Sequence, residues 1–296
     1  MGNLSPLVTN LQLAYMGVML TKKTINDGLP FLKMHGAGND FVIIDARDSD
    51  TEMTDALARA VGARHFGVGF DQLAVLTRSN GADVDIVFWN SDGSVAGACG
   101  NASRCIARLV MQETGQDHLV MRTERGLLPA KKSGDLISVN MGQPVFDWEK
   151  IPLSEDVDIE ALPIEGAPMA VGMGNPHCVF FVNDIDAIDL PTRGPEIEHH
   201  ALYPERTNVE FVEVISPTEL RQRTWERGAG ETLACGSGAC AVAVAAHRKG
   251  LSERNISIAL KGGTLDLDWR EDGVWMTGPT ELVFEGRLSP EFLARV

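Results

Sequence analysis

The sequence predicts an α+β fold of two similar halves, each a sheet wrapped around one central helix. Three observations predict it. Short stretches with strand-like alternation run through most of the chain after Pro30. Two segments, Gly100 to Glu113 and Gly236 to Lys249, are instead long enough for several helical turns, and each is closed by a glycine, Gly115 and Gly250. Both open on the same pattern, C-G-N-A-S-R-C-I-A from Cys99 and C-G-S-G-A-C-A-V-A from Cys235, 136 positions apart, about one domain length.

In chain order, residues 1–30 read as an extension outside the fold, because they show no capping or turn logic that continues into the strands after Pro30. Leu11 to Leu20 resembles the apolar core of a signal peptide, but no Lys or Arg precedes Lys22 and the stretch is too short to span a bilayer. Met19 and Met34 are alternative starts. Strands are expected at Phe41 to Asp45 and at Asp83 to Trp89, where Val84, Ile86 and Phe88 share a face. The first helix comes next, then a strand over Leu136 to Met141. Gly142 and Pro144 mark a boundary, giving an N-terminal half of residues 31–144 that carries Cys99.

The C-terminal half, residues 145–281, carries Cys235 and is expected to hold strands at Cys178 to Val182, Asn208 to Ile215 and Thr264 to Trp269. Its helix is nearly all Ala and Val from Ala239 to Ala246. A helix without a polar face is buried on all sides, and strands are the material available to cover it. A last strand from Glu281 to Phe284 leads into residues 282–296, read as a segment returning to the N-terminal half.

The chain has 296 residues, 26 Lys+Arg against 41 Asp+Glu and a net charge of -15. That field repels phosphate backbones and anionic lipid, so neither nucleic acid nor membrane is an expected partner. An anionic small molecule would need a local positive site such as a helix N-terminus. Five cysteines, an odd number in a chain too long to need disulfide staples, point to reduced thiols and a cytoplasmic location. Monomer and homodimer both stay open.

Cys99 and Cys235 each sit where a helix begins, and the free N–H groups and dipole there can lower a thiol pKa. A lone buried cysteine is usually a small hydrophobe, which is the reading for Cys105 and Cys240. A packing role does not require two cysteines at the matching point of a duplicated motif. A metal site fits poorly: within a helix neither Cys99 and Cys105 nor Cys235 and Cys240 share a face. A dithiol redox pair across the halves stays open.

Four polar clusters accompany these helices: H-G-A-G-N-D-F from His35, N-S-D-G-S from Asn90, G-N-P-H from Gly174 and E-R-G-A-G-E-T from Glu226. Singly, each is ordinary turn or surface composition. Together with K-M-H-G-A-G-N-D-F, G-V-G-F-D-Q-L, G-N-P-H-C, E-R-G-A-G-E-T-L-A-C-G-S-G-A-C and M-T-G-P, the chain from Phe31 onward resembles the diaminopimelate epimerase family in order and spacing. One departure is visible: Ala102 and Ser103 follow Cys-Gly-Asn where Gly-Ala is expected.

The resemblance implies two pseudo-symmetric halves, each a β-barrel-like sheet around a helix, with the site in the cleft between them. It implies that Cys99 and Cys235 face opposite sides of one α-carbon, with His177 and Glu226 beside the thiols. Asn39, Gln72, Asn90, Asn175, Asn208, Glu226 and Arg227 would hold the substrate, and the N–H groups of Gly100, Asn101, Gly236 and Ser237 would grip its carboxylate. The implied reaction is interconversion of LL- and meso-2,6-diaminopimelate, a step of lysine and peptidoglycan-precursor biosynthesis, without cofactor or metal. A proline racemase-like enzyme of the same fold is the alternative, and a thiol redox or binding protein without turnover is the alternative from another class.

Overall fold

Alternation along Val84–Asn90 buries Val84, Ile86 and Phe88 and turns Val87 to solvent, the period-two signature of a sheet with one packed face. In the computed structural model, which describes residues 28–296, this pattern recurs along the whole chain. The first half comprises β1 (Leu29–Gly36), β2 (Asn39–Asp45), α1 (Asp55–Gly62), β3 (Gln72–Thr77), β4 (Val84–Asn90), β5 (Val95–Ala96), α2 (Gly100–Thr114), β6 (His118–Thr123), β7 (Gly126–Ser133) and β8 (Leu136–Asn140). The second comprises β9 (Met169–Gly172), β10 (Pro176–Val182), α3 (Leu190–Glu198), β11 (Asn208–Ser216), β12 (Glu219–Glu226), β13 (Gly230–Thr232), α4 (Gly236–Arg248), β14 (Asn255–Leu260), β15 (Gly263–Arg270) and β16 (Gly273–Gly278). The chain ends in β17 (Glu281–Leu288) and the short α5 (Pro290–Leu293).

Pairing makes the duplication explicit. From β1 to β8, with β5 set aside as a hairpin on β4, neighbours run antiparallel, parallel, antiparallel, parallel, antiparallel, antiparallel. From β9 to β16 the order is identical, with β13 hairpinned on β12. A parallel pair needs a crossover long enough to hold a helix, so each half carries two, α1 and α2 in the first, α3 and α4 in the second. Antiparallel pairing of β8 with β16 joins the halves, and all seventeen strands form one continuous sheet. β17 returns to pair with β1.

Each half packs its sheet on the helix that begins with Cys-Gly. From α2, Cys105, Ile106, Ala107, Val110 and Met111 enter a core with Met34, Phe41, Ile86 and Met121. On α4, every residue from Gly238 to Ala246 is buried, against Val171, Val212, Ile258, Leu265 and Val274. The helices α1 and α3 pack on the outer side, with Val61 beside Phe70 and with Leu190 and Ile197 beside Phe211.

The two expected helices occupy Gly100–Thr114 and Gly236–Arg248, with Gly115 and Gly250 at φ 71 and 69°. Neither outer helix is visible in the pattern. Eight residues with a Thr54 cap make α1, and α3 contains Gly194 and Pro195, which read as breakers. The extension read over residues 1–30 is corrected at its end: Leu29 and Pro30 belong to β1 and pair with Leu288 and Arg287. Their partner lies at the opposite end of the chain, so no local pattern announces it. The rest of that extension, residues 1–27, lies outside the described residues. Among the described residues no helix is long and apolar enough to cross a membrane.

Candidate active site

Each inner helix lies within a parallel crossover, after the hairpin strand β5 or β13, and each has a cysteine at its cap position. Cys99 has φ -144 and ψ 109, Cys235 φ -110 and ψ 112, both extended, as a cap requires. The first hydrogen bonds of the helices run from Ser103 N to Cys99 O at 2.9 Å and from Ala239 N to Cys235 O at 3.0 Å. The N–H groups of Gly100, Asn101, Gly236 and Ser237 therefore have no acceptor within their helices. Ala102 is fully buried in the first turn of α2 with an ordinary φ, so its replacement of glycine strains nothing.

Glycine is what lets the two helix starts approach. A Cβ on Gly100 would stand 2.6 Å from Met276 Cε and 2.7 Å from Met141 Sδ. One on Gly236 would stand 3.1 Å from Met276 Sδ and 3.4 Å from Asn101 Oδ1. Met276 is thus wedged between both, and Asn101 Nδ2 ties the halves together by donating to Asn39 Oδ1 at 3.1 Å and to the Ala234 carbonyl at 3.2 Å.

The amide side chains read from sequence fall into two sets. On the first half, Asn39 Oδ1 lies 3.9 Å from Cys99 Sγ, while Gln72 and Asn90 are register partners on β3 and β4 joined at 3.1 Å. On the second, Asn175 Nδ2 donates to Ser237 Oγ at 3.2 Å, and Ser237 Oγ lies 3.7 Å from Cys235 Sγ. Asn208 is the register partner of His177 and accepts from the Arg227 backbone N–H at 3.0 Å. Glu226 accepts from Thr232 Oγ1 at 2.5 Å and lies within hydrogen-bonding reach of Cys235. The Arg227 side chain is not gathered into this cluster: it is exposed and donates to the Glu205 carbonyl at 3.1 Å.

Burial, not the helix dipole, decides the resting acidity of the thiols. It pushes Cys99 up to about 12, with the Glu226 charge adding to the rise and the Ala102 and Asn101 N–H groups and Arg104 pulling against it. Cys235, only 4% exposed, is raised well above the usual thiol range by burial, then by Glu226 and Glu210, against the Gly238 N–H and Ser237. The lowering expected from the helix N-termini is therefore present and outweighed. Burial also raises Glu226, opposed by Thr232 and Cys235.

Two residues at the site escape a reading of the sequence. Arg104 is 0% exposed, and none of its guanidinium nitrogens has a hydrogen-bond partner among the described residues. It lies against Gly36 and Gly278, on which a Cβ would stand 3.2 Å from Nη2 and from Cζ. Glu210, also 0% exposed, bonds His177 Nδ1 at 2.8 Å. A readable signal exists for Glu210: strand alternation puts it on the same face of β11 as Asn208.

The family model described as diaminopimelate epimerase matches residues 31–146 and 169–283. The diaminopimelate epimerase of Acidiphilium cryptum is 51% identical over 272 residues, covering 90% of this chain and 98% of that protein. That of Rhodospirillum centenum is 48% identical over 271 residues, covering 89% and 93%. Among solved structures, a phenazine biosynthesis protein of the PhzF family from Bacillus anthracis superimposes with TM-score 0.65 at 14% identity, covering 88% of this chain and 98% of that one. A probable proline racemase from Agrobacterium radiobacter gives TM-score 0.66 at 13% identity, covering 88% and 93%. These last two likenesses speak for the fold alone. Matched over both halves and by relatives of nearly its own length, the chain belongs to the diaminopimelate epimerase family.

Proposed function

We propose that this isomerase-family chain interconverts LL- and meso-diaminopimelate by two-base proton transfer between Cys99 and Cys235. The observation that carries the reading is the pair of cysteine caps at equivalent points of two repeats, joined through Asn101 and Met276. Inverting a carbon without a swinging side chain takes a base on one face and an acid on the other, and two thiols exchange those roles when the reaction reverses. One thiolate takes the α-hydrogen as a proton, the C–H electron pair flows into the carboxylate, and the opposite thiol protonates the other face.

The α-proton is weakly acidic, so the developing charge needs support. Four N–H groups without helical acceptors, at Gly100, Asn101, Gly236 and Ser237, suit that task. No cofactor is required in this account. Burial raises the thiols and so makes their thiolates stronger bases for a C–H bond. Glu226, itself raised and in reach of Cys235, is placed to take up the proton of that thiol. Asn39, Gln72, Asn90, Asn175 and Asn208 read a substrate that is polar at both ends, and His177 completes the C-terminal side.

Five free thiols suit a reducing cytoplasm. Incubating the full chain with LL-diaminopimelate and, separately, with L-proline tests the assignment by chiral chromatography. Conversion of the first alone is expected; turnover of proline alone would favour the racemase-like alternative.

A further inference from the structure

His177 on β10 has both ring nitrogens against oxygen acceptors. Nδ1 lies 2.8 Å from Glu210 Oε1 and Nε2 3.1 Å from Asn175 Oδ1. Carboxylate and amide oxygens accept and do not donate, so with the Asn175 amide in this orientation each ring nitrogen is placed to donate, Nδ1 to Glu210 and Nε2 to Asn175. His177 and Glu210 are both 0% exposed, and a cation buried there without its carboxylate would be strongly disfavoured.

The hydrogen bonds continue from this pair to a thiol. Asn175 Nδ2 donates to Ser237 Oγ, whose own proton is then free to point at Cys235 Sγ, an arrangement that favours the thiolate. Remove the Nε2 proton and the polarity reverses. Asn175 then donates to the ring, Ser237 donates to Asn175, and Cys235 is left to donate its S–H to Ser237. One proton on His177 thus governs which form of Cys235 its neighbours favour. The place for the carboxylate is built into the helix start: a Cβ on Gly238 would stand 2.6 Å from Glu210 Oε1, and the Gly238 N–H donates to Cys235 Sγ at 3.4 Å.

We infer that Glu210 is a positioning residue: its buried carboxylate keeps His177 protonated on both nitrogens and so sets the direction of the Asn175–Ser237 hydrogen bonds that end at Cys235. The inference rests on the reading of Cys235 as an acid–base group. The other titratable groups around the pair are Glu226 and Cys235 on the site side, and Cys178 and Tyr203 behind Glu210.

The test uses the full chain labelled with 15N-histidine, the His177 ring signals being identified by their loss in His177→Gln. At neutral pH the wild-type ring is expected to show two protonated nitrogens and Glu210→Gln, which keeps shape and loses charge, only one. With LL-diaminopimelate, kcat of Glu210→Gln should fall about 10- to 100-fold, the weight of a hydrogen bond to a charged group, with KM little changed. A wild-type ring with one proton, or a variant ring identical to wild type, overturns the inference. If the variant does not fold, the wild-type spectrum alone decides. A doubly protonated ring in a wild-type chain that does not turn over LL-diaminopimelate would sink the epimerase reading and leave the role of Glu210 standing.

Discussion

Around Cys99 one carboxylate, Glu226, adds to the rise in thiol pKa and the buried guanidinium of Arg104 opposes it, whereas around Cys235 two carboxylates, Glu226 and Glu210, add to the rise and no guanidinium among the described residues opposes it. The backbone frame of the two sites is the same: parallel crossover, extended cysteine cap, glycine at the first helical position. Duplication therefore fixes where the thiols stand, and side chains beyond the repeated motif set how tightly each holds its proton. At the position where α2 carries Arg104, α4 carries Cys240. A pair of identical groups has acquired unequal electrostatic surroundings.

The largest effect should come from removing either member. Cys99→Ala and Cys235→Ala should each lower kcat/KM by about 100- to 10,000-fold, the range of a lost general acid or base, since one face is then without a proton carrier. Steady-state kinetics in both directions reads this. If one variant kept near-normal turnover, the halves would differ in function and not only in charge.

The contrast itself is tested at Arg104. Arg104→Met keeps length and removes charge, so alkylation of Cys99 by iodoacetamide at pH 8 should slow about tenfold, one unit of pKa, while Cys235 is little affected. Urea denaturation should show stability unchanged or raised by about 1 kcal/mol, because an unpaired buried charge is removed. Equal slowing at both thiols would erase the distinction.

The smallest effects belong to the cysteines deeper in the helices. Burial pushes Cys105 and Cys240 up to about 12. Below about pH 9 these thiols are protonated in both folded and unfolded chains, and their contribution is fully present. As pH rises from about 9 to 12 the unfolded chain ionises first, so stability is lost across that window. Cys105→Ala and Cys240→Ala should flatten this alkaline decline, cost about 1 kcal/mol at neutral pH and leave kcat unchanged. Denaturation curves at several pH values, with rates alongside, measure all three.

Legibility in the sequence depends on locality. The Ala and Val run of α4 and the repeated Cys-Gly announce both inner helices, and period-two patterns such as Val84, Ile86 and Phe88 announce strands. Leu29 and Pro30 cannot be placed from sequence, because β17 gives them their partner. Glu210 shares a face of β11 with Asn208, which the alternation shows, but its partner His177 is reached only through the parallel pairing of β10 and β11. The direction of the thiol pKa is misread from sequence for the same reason. A helix N-terminus is visible in sequence, whereas the burial that outweighs it belongs to the assembled halves.

The central claim, that two opposed thiols each carry one proton, is tested most directly by mass spectrometry of product formed from LL-diaminopimelate in heavy water at low conversion. The donating thiol has already exchanged with solvent while the abstracted hydrogen stays on the other, so nearly every early product molecule should carry one deuterium at the inverted carbon. Early product that retains its original hydrogen in substantial amount would mean that a single base returns the proton it removed, and the paired-cysteine account would be wrong.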